Sequence, residues 1–295
     1  MRILIHDIHH AVGPARFMAA ALRRLGHDVR TIGDARGENI WGIKVDPKYS
    51  WQPAGGPQTY WTDWRPDMIL VMSLGLYHHA YYHDVPHVLY IVDNHVVNIR
   101  QPGIAHYFLG HKHGQAMPAI GDDVTWLSCA YDPTLCTPSP IPWAQRRYDV
   151  GLIGVLYPRR VELINKLVQQ GFVVAAGMGV LYNEFREFYH NSRISLCLSL
   201  KGDVAMRIFE TAAMGCLVLS DPCTDFPDLA AQGIVLFASP DEAVESVRRL
   251  LAQPLLAQDL IEKSMRWVAP HTWDARGQTI CDWFCNRFGI PAGQS

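Results

Sequence analysis

Two apolar patterns alternate along this chain, and their order constrains its fold more than any other feature. Short apolar runs, each the length of one buried strand, are separated by stretches whose apolar residues recur at helical spacing. Ile3–Ile5 leads into a loop, HDIHHAVGP, and then into a run from Ala15 to Leu25 where Phe17, Ala21, Leu22 and Leu25 share one face. Arg23 and Arg24 point outward, Gly26 ends the run, and a strand follows at Val29–Ile32. A strand, a helix and a strand in so short a span require parallel pairing with a right-handed crossover. Further strands are expected at Met68–Met72 and Val88–Val92, with weaker candidates at His106–Leu109 and Thr125–Ser128.

Four prolines within residues 133–142 interrupt the pattern, so DPTLCTPSPIPWAQRR reads as a linker. The alternation then restarts. Strands are expected at Tyr148–Ile153, Phe172–Ala176, Ile194–Leu198, Cys216–Leu219 and Ile234–Phe237. Helices are expected at Arg159–Gln170, Glu184–Tyr189 and Ala205–Met214, and near 240–252, 254–267 and 272–287. This predicts an α/β chain of two Rossmann-like domains with parallel sheets facing an interdomain cleft. The expected boundaries are 1–142, 143–271 and a terminal helix, 272–295, packing back toward the first domain. A length of 295 residues suits two such cores. Ligands of these sheets bind at the carboxyl ends of the strands, which makes the cleft the expected site.

Composition removes several classes of function. The longest apolar stretches, such as GCLVLS and HVLYIV, fall far short of the ~20 residues of a membrane span, and MRILIHD is a strand pattern without a signal-peptide core. Seven cysteines without a CxxC pair read as buried, reduced thiols of a cytoplasmic protein. A balance of 26 Lys+Arg against 28 Asp+Glu argues against a protein that coats nucleic acid. The halves differ, however. Residues 1–148 hold 13 basic and 12 acidic residues with 12 of the 14 histidines, whereas the remainder holds 13 basic and 16 acidic residues.

The most informative stretch is SLKGDVAMRIFETAAMGCLVLSD, residues 199–221. A polar turn, Lys201-Gly202-Asp203, precedes a helix, with Asp203 a candidate N-cap. Free N–H groups of a first helical turn favour an anion, and Lys201 and Arg207 add positive charge there. Arg207 and Glu210, three apart, share a helix face. A guanidinium grips phosphate and a carboxylate accepts from a diol such as that of a ribose, a combination that fits a nucleoside diphosphate. The alternative is an intrahelical Arg–Glu pair on a solvated face.

These residues carry a family likeness. YDVGLIGVLYPRRVELINKL, MRIFETAAMGCLVLSD and HTWDARGQTI resemble the C-terminal domain of glycosyltransferases of GT-B architecture, particularly the CgeB-like group named after a spore-maturation protein. The likeness extends over about residues 148–280; in the first half only DVPHVLYIVDNH and WLSCAYDPTLCTP share it. It implies transfer of a sugar from a nucleoside-diphosphate sugar to an acceptor hydroxyl, with retention of configuration. It also implies that fixed cations, without a metal or other cofactor, neutralise the leaving group. Carried over, Glu210 holds the donor ribose, while Arg207, Arg160 and Lys201 hold the phosphates. Where the larger retaining families place an acidic residue eight positions before the ribose glutamate, this chain has Gly202, with Asp203 displaced by one.

The first half is the expected acceptor side. Gly13, in the loop after the first strand, is a candidate for close backbone approach to a donor phosphate, and His9 and His10 beside it are candidates for the acceptor. Trp41 and Trp61, in the turn-rich segment 36–65, offer flat faces to a sugar, an aromatic small molecule or a base. Asp93 and His95 directly follow the strand pattern LYIVD; either is a candidate catalytic group against the acceptor, the alternative being that Asp93 caps a turn. His78, His79, His83 and His87 read as surface and loop residues, since their spacing matches no zinc pattern. Modified DNA stays open as an acceptor through a local stripe of Arg16, Arg23, Arg24 and Arg30. The rival readings are a nucleotide-sugar epimerase or hydrolase on the same fold, and a non-catalytic binding or surface-assembly protein. A nicotinamide enzyme is disfavoured because no G-x-G-x-x-G follows the first strand.

Overall fold

The computed structural model describes residues 1–7, 11, 13–33, 39–40, 43–44, 52–56, 59–72, 82–92, 103–112, 123–199 and 202–289. They form two compact units: Met1–Ser128 together with the stretch from Trp273 onward, and Cys129–Thr272.

The first unit runs β1 (Arg2–His6), α1 (Pro14–Arg24), β2 (Asp28–Ile32), β3 (Asn39–Ile40), β4 (Ile43–Lys44), β5 (Met68–Val71), β6 (His87–Ile91), β7 (Ile104–Leu109) and β8 (Val124–Trp126). Its main sheet has the order β2-β1-β5-β6-β7-β8 with every pair parallel. The short strands β3 and β4 make a separate antiparallel pair that no apolar period announces. Ile3, Leu4 and Ile5 are all fully buried, as expected of a parallel strand covered on both faces. His87 and His106 lie inside strands and are buried, so the reading of His87 as a loop residue is corrected.

The second unit runs β9 (Tyr148–Ile153), α2 (Pro158–Gln169), β10 (Val174–Gly177), α3 (Tyr182–His190), β11 (Ser192–Cys197), α4 (Met206–Ala213), β12 (Leu217–Ser220), β13 (Val235–Leu236), α5 (Pro240–Ala252) and α6 (Pro254–Val268). Its sheet, β10-β9-β11-β12-β13, is also all parallel. Val150, Leu152, Ile194, Leu196, Leu217 and Leu219 supply the strand side of one core, which α2, α5 and α6 cover. Proline opens α2, α5 and α6, where its missing N–H costs nothing. Ser239 Oγ caps α5 by accepting from Glu242 N at 3.2 Å.

The last helix, α7 (Trp273–Phe288), completes the first unit against α1. Trp273 is fully buried and stacks on Phe17, their ring centroids 6.5 Å apart. The Arg24 guanidinium grips both oxygens of Asp274, at 2.7 and 2.9 Å. A Cβ at Gly277 would lie 3.1 Å from Leu22, so glycine there lets the helices approach. In the HTWDARG motif, His271 packs its ring against Phe209 and Trp267, and Arg276 donates from Nε and Nη2 to Ser128 O and Oγ at 2.8 Å each.

Two expectations change here. The boundary between compact units falls at Ser128, and the proline-rich stretch belongs to the second unit. Proline removes backbone donors but not acceptors, and the stretch docks: Ser139 N donates to Met214 O at 3.1 Å, Ser139 Oγ to His190 O at 3.0 Å and His190 Nε2 to Thr137 O at 2.8 Å. Asp203 is not the cap of α4; the helix starts at Met206 after Ala205, and no side chain caps it.

Candidate functional site

In the second sheet the chain moves outward in both directions from β9 and β11, so the crevice at their carboxyl ends is the switch point where such sheets bind ligands. Gly154 follows β9 with φ at +142°, a conformation that favours glycine, and its N–H donates to Gly177 O at 2.9 Å. A Cβ here would stand 2.4 Å from Arg207 Nη2 and 3.4 Å from Arg160 Nη1. The bare glycine thus makes the space in which two guanidinium groups converge, one from the start of α2 and one from the first turn of α4.

Their environment is electrostatically unbalanced. Arg160 donates from Nη1 to Val155 O at 2.8 Å and from Nη2 to Leu198 O at 2.6 Å, and its guanidinium stands 5.2 Å from the Tyr157 ring centroid. Burial, then the nearby Arg207 charge, pushes Arg160 below the ordinary arginine range. Nε and Nη1 of Arg207 are buried and have no partner among the described residues. Such orphaned donors are costly, and an anion in the crevice would relieve the repulsion between the two cations.

Glu210 lies one turn further along α4. Burial pushes its carboxyl up to about 7, with Arg207 pulling the other way. No ion pair joins it to Arg207, and no described residue donates a hydrogen bond to it. The pairing of these two on a solvated face is therefore not what the fold makes of them. The buried Tyr189 hydroxyl accepts from Ile153 N at 3.0 Å and fixes the end of β9 beside the site.

Of the residues singled out in the sequence, Arg160, Arg207 and Glu210 come together in this crevice. Gly13 lies in the first unit as the N-cap of α1, with φ −66° and ψ 137°, a conformation open to any residue. Trp61 packs on the sheet of the first unit, and the Arg30 guanidinium stands 5.0 Å from its ring and 4.8 Å from that of Trp64. His9, His10, Trp41, Asp93, His95 and Lys201 lie outside the described residues. The basic stripe is largely engaged: Arg24 holds Asp274, Arg23 donates to Val29 O at 2.9 Å, and Arg30 stacks on tryptophan. No group of three or more His, Cys, Asp or Glu able to hold a metal occurs among the described residues.

Sequence reasoning missed Gly154, Ser199 and Asp221. Asp221, buried after β12, accepts from Ser199 N at 2.8 Å, from Ser199 Oγ at 3.1 Å and from Arg159 Nη1 at 2.9 Å. The visible signals were a glycine directly after a buried strand and a lone aspartate ending one.

Residues 142–282 match the family described as glycosyl transferase-like. The chain is similar in structure to an alpha-glucosyltransferase in complex with UDP and a 13-mer DNA containing a central A:G mismatch, at 13% identity, over 96% of this chain and 99% of that one, with a TM-score of 0.70. It is similar to sucrose-phosphate synthase from Thermosynechococcus elongatus, at 13% identity over 99% and 100% of the two chains, with a TM-score of 0.65. Anabaena HepE in complex with UDP and glucose aligns at 12% identity over 96% and 99%, with a TM-score of 0.66. No curated protein matches the sequence. Residues 142–282 are thus glycosyl transferase-like in sequence, and the chain has the two-sheet α/β fold of the GT-B glycosyltransferases. Among the described residues, no helix is long and apolar enough to cross a membrane.

Proposed function

We propose that this chain is a nucleotide-sugar-dependent glycosyltransferase whose donor binds in the crevice of the second unit. The observation that carries the reading is the convergence of Arg207 and Arg160 on Gly154, with Glu210, which accepts no hydrogen bond from a described residue, one turn away. In transfer, the bond between the anomeric carbon and the β-phosphate oxygen breaks, and negative charge develops on the leaving diphosphate. Guanidinium groups already fixed in place stabilise that charge without reorganising. Glu210 accepts from the ribose diol and sets the nucleotide's register.

The finer reading follows the likeness of MRIFETAAMGCLVLSD and HTWDARGQTI to the CgeB-like group. It comprises a cytoplasmic enzyme that needs no metal and retains configuration, taking its acceptor on the first unit, with Lys201 a further phosphate ligand and Asp93 or His95 facing the acceptor. The acceptor hydroxyl belongs to a glycan or small molecule in preference to a modified base, because Arg23, Arg24 and Arg30 are engaged within the protein. Calorimetry with UDP-, GDP- and TDP-sugars tests the donor reading: one of them binds, and Arg207→Ala and Glu210→Ala each weaken it about tenfold or more. A wild type that binds none of them refutes it. An acceptor screen spanning glycans, small molecules and hydroxymethylated DNA, run with and without chelator, tests the rest.

A further inference from the structure

Three sulfur atoms gather in the first unit, where α7 meets the residue before β1. Cys281 and Cys285 stand four residues apart on α7, and both are buried beside Ile280 and Phe284. Side chains at that spacing are neighbours, their Cβ atoms about 5–6 Å apart. Met1 brings its thioether to the pair: the Cys285 thiol donates to Met1 Sδ at 3.9 Å. Burial first, then the neighbouring Cys285, raises the Cys281 thiol to about 12. Thiols in the second unit are spent differently. Cys216 Sγ donates to Tyr189 O at 3.2 Å and Cys223 Sγ to Phe226 O at 3.8 Å, so each satisfies a main-chain carbonyl. Cys285 faces a second sulfur instead.

We propose that Cys281, Cys285 and Met1 form a site for a soft, thiophilic metal ion, Cu(I), which pins the residue before β1 to α7. Two thiolates and a thioether are the donor set that selects Cu(I), whereas magnesium and calcium take oxygen ligands. The spacing fits as well. A trigonal ion with metal–sulfur bonds of about 2.3 Å holds its ligands about 4.0 Å apart, and Cys285 and Met1 already stand at 3.9 Å. Cys281, one helical turn back, closes the triangle by a change of rotamer. On binding, each thiol exchanges its S–H bond for a metal–sulfur bond and releases its proton to solvent. The ion is structural, joining β1 to the helix that closes its unit, and the donor chemistry proposed for the second unit does not depend on it.

The test is anaerobic titration of the reduced full chain with Cu(I), in competition with the chromophoric chelator bicinchoninate. One equivalent binds, and X-ray absorption finds three sulfur neighbours at about 2.3 Å. Cys281→Ser and Cys285→Ser each weaken binding about tenfold or more, whereas Cys223→Ser, outside the cluster, binds as wild type does. Copper raises the melting temperature of wild type and not that of Cys285→Ser. If a serine variant fails to fold, X-ray absorption of the wild type decides by itself. A wild type that takes up no copper, single variants that bind it equally well, or a copper ion with fewer than three sulfur neighbours overturns the site and leaves these residues as packed sulfurs. Zn(II) bound as tightly as Cu(I) overturns its soft character.

Discussion

Glu210 changes its charge near neutral pH. Burial holds its carboxyl at about 7, against an ordinary value of 4.5. With Glu210 holding the donor ribose as proposed, only its ionised form accepts from both hydroxyls, so donor affinity should rise between about pH 6 and 8, and Glu210→Gln should flatten that profile in titration calorimetry. The same shift has the opposite sign for stability. The folded state binds this proton more tightly than the unfolded one, so stability falls as pH rises from 4.5 through about 7. Glu210→Gln should therefore gain on the order of 1–3 kcal/mol over wild type at pH 8 relative to pH 4, read from denaturant unfolding at both. Equal pH dependence in the two proteins would remove the buried charge from the account. Gly154 makes the second residue-scale case. Gly154→Ala places a methyl 2.4 Å from Arg207 Nη2 and should cost donor affinity much as Arg207→Ala does, together with about 1–3 kcal/mol of stability. Unchanged nucleotide binding by this variant would separate the glycine from the site.

The elements show which local signals survive folding. Apart from β3 and β4, strand and helix positions read from apolar spacing agree with the fold from β1 to α7, because the main strands are all parallel, the central ones are buried and the helices present one face to a sheet or a neighbouring helix. Proline and Ser239 mark the start of α5 in sequence as in space. Ser239→Ala should cost about 1 kcal/mol in a thermal melt and leave donor binding untouched, since this cap lies outside the crevice; a loss of binding would show that α5 is coupled to the site. The local signal failed at α4. Asp203 has the chemistry of a cap, yet its neighbours Gly202 and Val204 are held from the loop after β12: Thr224 N donates to Gly202 O at 3.0 Å, and Val204 N to Asp225 Oδ2 at 3.4 Å. Those partners lie about twenty residues away in sequence, beyond the reach of any local pattern.

At the scale of the molecule, the first unit is closed by the last helix. Trp273, Ile280 and Phe284 of α7 are fully buried, and Trp273 packs between Phe17 and Tyr90. Removing the chain from Trp273 onward should strip that cover from α1 and unfold the first unit while the second keeps its own transition in calorimetry. A truncated protein with both transitions intact would mean that α1 needs no cover. Periodicity and turn chemistry along the sequence determined the α/β class, the two sheets and the candidacy of Arg207 and Glu210, because strand and helix spacing and side-chain chemistry are local properties. Tertiary structure alone decided that Arg160 and Arg207 meet over Gly154, that Asp221 links Arg159 to Ser199, and that a proline-rich stretch is docked chain. Each of these depends on strands brought side by side from distant parts of the sequence, where the absence of one Cβ or the burial of one carboxylate sets the charge balance.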